Sequence, residues 1–100
     1  MKTNRRILVV DDNIDYCEGI IDFLEMEGFD AKGVHDGFKA LETIEEEEFD
    51  MVLMDVRMPG MDGVETFQKL KKISPNTPTI LMTAFAVESR IKEALRSGVF

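Results

Sequence analysis

Residues Met51–Gly63 read MVLMDVRMPGMDG. Four apolar residues, Met51–Met54, run straight into a carboxylate at Asp55, and the chain then breaks at Pro59 and Gly60. A short apolar run bounded by turn residues fits a strand buried on both faces. Asp62 and Gly63 read as the entry to a helix. The stretch therefore delivers one acid to the rim of a sheet.

The rest of the chain repeats this alternation. Ile7–Val10 is a second apolar run, rich in β-branched residues and ended by Asp11 and Asp12. Asn13 is placed to cap a helix, in which Ile14, Cys17, Ile20, Ile21 and Leu24 recur at helical spacing. Gly28 closes it. Ala31–Val34 is a weaker strand, broken by Lys32 and Gly33, which suits a sheet edge. Asp36 can cap a second helix with Phe38, Leu41 and Ile44 on its apolar face. Asp62 and Glu65 have the spacing of a capping box. Val64, Phe67, Leu70 and Ile73 face inward from the third helix, with Lys69, Lys71 and Lys72 outward or near its C-terminus. Thr79–Met82 is a fourth strand ending in Thr83. A fourth helix follows, with Ile91, Ala94 and Leu95 inward and Gly98 near its end. Strands alternating with helices specify an α/β layer with a mostly parallel sheet.

Composition narrows the partners. One hundred residues suit one domain, and 44% apolar content supports a core. A net charge of −8 opposes direct binding to nucleic acid or to an anionic membrane, since both need basic residues. It fits a domain that binds cations or a basic partner. Cys17 is the only cysteine, which rules out an intramolecular disulfide and suits a small core residue. No run is long enough to span a bilayer, and the basic start MKTNRR lacks the apolar segment of a signal peptide. A cytoplasmic protein is expected.

The polar residues converge. Asp11 and Asp12 follow the first apolar strand, Asp55 the third, Thr83 the fourth, and in a parallel sheet these ends share one edge. Ligands of open α/β sheets bind there, where strand order reverses. Three carboxylates in one crevice retain a proton or bind a cation. Hard oxygen donors without neighbouring His or Cys point to Mg²⁺ or Mn²⁺. With the metal in place Asp55 can act as a nucleophile on a phosphoryl group. Thr83 and the backbone N–H of Ala84 can donate to phosphoryl oxygens. Each residue also has a plainer role. An Asp at a strand end is often only a cap, and Asn13 competes with Asp12 for that role. Asp62 is read as a cap and His35 as a surface residue. Met58 and Met61 are read as partly exposed loop residues, and Glu45–Glu48 as a solvated helix end.

On ILVVDDN at Ile7–Asn13, MVLMDVRMPGMDG at Met51–Gly63 and PTILMTAFA at Pro78–Ala86, the chain resembles a receiver domain of bacterial two-component response regulators. The resemblance implies a flavodoxin-like, doubly wound parallel sheet of strand order 2-1-3-4-5. It implies that Asp55 accepts a phosphoryl group from the phosphohistidine of a sensor kinase. Asp12, Asp55 and the backbone carbonyl of Arg57 would hold Mg²⁺, with Asp11 in support. Thr83 would be the switch hydroxyl, and Arg57 and Phe85 would tune the lifetime of the phosphoryl group.

The departure is at the end. Family members carry a fifth strand ending in Lys-Pro and then a fifth helix, and nothing here matches them after Phe100. The expectation is one receiver domain over residues 1–100, of order 2-1-3-4 and incomplete at its C-terminus, from a longer parent with an effector domain. The edge of the fourth strand and the fourth helix would then be open to a homodimer or domain swap. A phosphoacceptor switch is expected, not an enzyme turning over an external substrate. One rival is an assembly module on the same fold that is never phosphorylated. The other is a Mg²⁺-dependent phosphatase of the haloacid-dehalogenase class, which needs a second acid where Arg57 stands.

Overall fold

The computed structural model describes residues 5–58 and 60–82. Its elements alternate: β1 (Arg6–Val10), α1 (Ile14–Met26), β2 (Asp30–Val34), α2 (Gly37–Glu46), β3 (Met51–Asp55), α3 (Gly63–Ile73) and β4 (Thr79–Met82). The four strands form one parallel sheet in the order β2-β1-β3-β4, as expected. The expected fourth helix and the readings of Thr83, Ala84 and Phe85 lie outside the described residues.

Both faces of β1 are covered, which is why its apolar run is unbroken. Leu8 and Val10 pack with Val52 and Met54 of β3, Ala40 and Ile44 of α2, and Leu70 of α3. Ile7 and Val9 pack on the other face with Cys17 and Leu24 of α1. Cys17 is a core residue, fully buried. Burial and the nearby charges of Asp11 and Glu18 push its thiol up. β2 stands at the edge, as its broken pattern predicted.

Each helix begins on the anticipated cap. The side chains of Asn13, Asp36 and Asp62 accept backbone N–H groups of Tyr16, Lys39 and Glu65 at 3.0, 2.7 and 2.9 Å, which satisfies donors the first turn leaves open. Gly28, at φ 96°, follows the C-cap of α1, a left-handed conformation that suits glycine.

Several side chains depart from the sequence reading. Phe38 is 64% exposed, although helical spacing placed it inward. The buried face of α2 is Gly37, Ala40, Thr43 and Ile44, because Gly37 lets the helix close on α3 and turns Phe38 outward. Ile14 and Ile73 are also exposed; they lie in the first and last turns, beyond Cys17 and Leu70. Met58 and Met61 are buried rather than partly exposed, because the loop that carries them folds back on the core.

The acidic run is more than solvated. Glu47 is half-buried and pairs with Lys32 and with Arg6 Nη2, the latter at 2.8 Å. Those bonds, Lys32's first, hold its carboxyl below the ordinary range. Arg6 also reaches Asp30 at 3.3 Å and the carbonyl of Glu48 at 3.0 Å, with its guanidinium 4.6 Å from the Phe49 ring centroid. This single side chain ties β1, β2 and the α2–β3 connection together at the edge of the sheet opposite the acids.

Candidate functional site

The strand ends bring the three acids together. Asp11 and Asp12 leave β1, and Asp55 is the last residue of β3, its neighbour in the sheet. One carboxylate oxygen from each lies within 4.8 Å of the others. Two unit charges at that distance repel by about 3.5 kcal/mol at an effective dielectric near 20. Asp12 is exposed and best screened by water; Asp11 is only 3% exposed.

Asp11 is fixed from several sides. Its Oδ1 accepts the Asn13 N–H at 2.9 Å, and its own N–H donates to the Val34 carbonyl at 3.1 Å. Its carbonyl lies 3.1 Å from Nδ1 of His35. His35 is a surface residue, as read, but it borders the site through that contact. Asn13 takes the capping role on α1, so Asp12 is left facing the acid cluster.

Asp55 accepts the Arg57 N–H on Oδ1 at 3.2 Å. Its carboxyl is nevertheless held above the ordinary range. Burial is the chief cause, opposed by the Arg57 N–H and reinforced by the charges of Asp11 and Asp12. An acid in that position is relieved by a cation. Three oxygen donors with no Cys or His among them suit a hard divalent ion such as Mg²⁺ or Ca²⁺. The donor chemistry therefore fits the ion anticipated from the sequence. A side chain at Arg57 is exposed, while its backbone lies beside Asp55.

Gly63 was read from the sequence only as part of a helix entry, and Gly37 was not singled out; both have a packing role. Gly63, which opens α3, abuts the backbone of Asp55 and Val56, and its N–H donates to the Val56 carbonyl at 2.9 Å. Gly37, which opens α2, abuts Thr66 and the carbonyl of Met61. The available signal was a glycine directly after each capping Asp, where no positive φ calls for one.

The fold and the site define a small α/β domain, a doubly wound parallel sheet with a cluster of three carboxylates at its strand ends. The chain belongs to the response regulator receiver domain family, whose family model matches residues 7–100. The transcriptional regulatory protein ZraR of Klebsiella oxytoca is 41% identical over 92 residues, which cover 92% of this chain and 21% of that protein. The chain thus spans about a fifth of the length of such relatives. A CheY-like receiver domain protein of Methanospirillum hungatei superposes with a TM-score of 0.93 at 30% identity, covering 97% of this chain and 78% of that one. A Burkholderia pseudomallei response regulator, solved with a phosphorylated aspartic acid and a calcium ion, has a TM-score of 0.89 over 96% of this chain and 56% of that one. At 22% identity it bears on the fold alone. No described helix is long and apolar enough to cross a membrane.

Proposed function

We propose that Asp55 is the phosphoacceptor of a two-component signalling module. The observation that carries this reading is the meeting of three carboxylates from two adjacent strand ends around a half-buried Asp55. A carboxylate oxygen of Asp55 attacks phosphorus, and the bond from phosphorus to the donor's imidazole nitrogen breaks. The donor is a phosphohistidine on a sensor kinase, and the signal passes to an effector domain in a longer parent protein.

Asp11, Asp12, Asp55 and the backbone carbonyl of Arg57 would hold Mg²⁺ (or Mn²⁺). When bound, the ion screens the repulsion between carboxylate and phosphate. The Arg57 N–H orients the Asp55 carboxylate. Asp11, anchored by the Asn13 N–H, keeps its charge in place. Thr83 and the Ala84 N–H, which lie outside the described residues, are assigned to the phosphoryl oxygens.

The test is beryllofluoride, a phosphoryl mimic, added with and without Mg²⁺ to wild type and to Asp55→Asn. Thermal stabilisation that needs both Mg²⁺ and Asp55 is expected. No response in wild type with Mg²⁺ present would overturn the reading.

A further inference from the structure

Between Asp55 and α3 the chain makes a short loop, Val56–Asp62, that carries the Arg57 backbone beside the acid cluster. Two bare α-carbons close this loop. A β-carbon on Gly63 would stand 2.3 Å from the Asp55 carbonyl oxygen and 2.8 Å from Val56 Cα. Both are backbone atoms, so neither can swing aside. A β-carbon on Gly37 would stand 2.2 Å from Thr66 Oγ1 and 3.1 Å from the Met61 carbonyl oxygen. Thr66 Oγ1 in turn donates to the Asp62 carbonyl at 2.7 Å. Gly63 thus seats the first turn of α3 on the Asp55–Val56 backbone, and Gly37 seats the first turn of α2 on Thr66 of α3 and on the Met61 carbonyl. Neither glycine has a positive φ, so lack of a side chain, and not backbone freedom, is what each position uses.

We propose that Gly63 and Gly37 are positioning residues that set the metal selectivity of the acidic rim. The inference rests on the reading that Asp11, Asp12, Asp55 and the Arg57 carbonyl hold a divalent ion. A methyl group at Gly63 must displace the Asp55–Val56 backbone by on the order of 1 Å to reach ordinary contact distance. That backbone carries the Asp55 carboxylate and leads directly to Arg57. Mg²⁺ demands near-ideal octahedral geometry at about 2.0–2.1 Å, whereas Ca²⁺ accepts six to eight oxygens at about 2.3–2.6 Å in flexible arrangements. A displaced donor pair therefore penalises the smaller ion more. General loosening of the fold weakens both ions alike, so the ratio of the two affinities separates positioning from stability.

Magnesium chloride and calcium chloride are titrated separately by calorimetry into the 100-residue chain, Gly63→Ala, Gly37→Ala and Leu24→Ala. Leu24→Ala loosens the core on the α1 face, away from the loop. The expected result for Gly63→Ala is a loss of about tenfold in Mg²⁺ affinity with less than about threefold in Ca²⁺ affinity. Gly37→Ala moves the ratio in the same direction by a smaller factor, and Leu24→Ala leaves it unchanged. Circular dichroism reports whether each variant is folded; if Gly63→Ala is not, Gly37→Ala decides the matter. A wild-type ratio in the folded glycine variants overturns the proposal while the metal site stands. Wild type that binds neither ion removes the site itself, and the proposal with it.

Discussion

Gly33 of β2 lies against Cys17 of α1 so closely that a β-carbon there would stand 2.8 Å from the Cys17 sulfur. It would also stand 2.7 Å from Cδ1 of Ile21. The glycine that weakens β2 as a strand is therefore what lets α1 seat on the sheet. Gly33→Ala should destabilise the domain by about 1–3 kcal/mol, the usual cost of overpacking. Ile21 can swing its terminal carbon aside, so the strain concentrates on the sulfur. Cys17→Ala in the same chain should recover part of the loss. A double-mutant cycle by urea denaturation measures the coupling; additive effects would show that the two side chains do not share this space.

The raised pKa of Asp55 makes a signed prediction for the metal-free protein. An acid whose folded pKa is raised binds its proton more tightly in the fold than in the unfolded chain. Its contribution to stability is present at low pH and is lost as pH rises through the folded value. At neutral pH the ionised Asp55 thus opposes folding. Asp55→Asn should be more stable than wild type at pH 7 in the presence of a chelator, and the gap should close as the solution is acidified through the carboxylate range. Paired urea titrations across pH check this. A variant less stable than wild type at pH 7 without metal would contradict the cause assigned to the shift, namely burial reinforced by Asp11 and Asp12.

Adding metal should reverse that order. An ion that binds only the folded state stabilises it by about 2.7 kcal/mol at one hundred times its dissociation constant. Wild type should gain thermal stability with Mg²⁺, while Asp12→Asn and Asp55→Asn lose most of the gain. Scanning calorimetry over a MgCl₂ series provides the measurement. Equal gains in all three proteins would place the ion elsewhere.

Leu70 is fully buried among residues of β1, β3 and α2, so truncation there opens a cavity that no neighbour fills cheaply. Leu70→Ala should cost about 2–5 kcal/mol. Asp62, whose side chain accepts the Glu65 N–H, should cost about 0.5–2 kcal/mol on replacement by Ala. Denaturant midpoints rank the two, and Leu70→Ala is expected to be the more damaging.

Much of the molecule was legible in one dimension. The apolar runs that end in Asp11 and Asp55 marked β1 and β3, and β1, covered on both faces, leaves no room for alternation. The caps at Asn13, Asp36 and Asp62 followed from side-chain oxygens facing open N–H groups. The gathering of Asp11, Asp12 and Asp55 followed from strand direction alone, since parallel strands end on one edge. Phe38 was not legible in this way. Its spacing matched an inward face, but which stripe of an amphipathic helix is buried depends on how closely its neighbour approaches.

The order of apolar and polar residues along this chain determined the alternation of strands and helices and put its acids at a common rim, because those outcomes depend on local periodicity and chain direction. Contacts between elements decided the rest. Glu47 is paired with Arg6 and Lys32, Met58 and Met61 are folded under, Gly63 abuts the Asp55–Val56 backbone, and Gly37 abuts Thr66 and Met61. Each depends on residues distant in sequence coming within a few ångströms, and such distances exist only once the layers have packed.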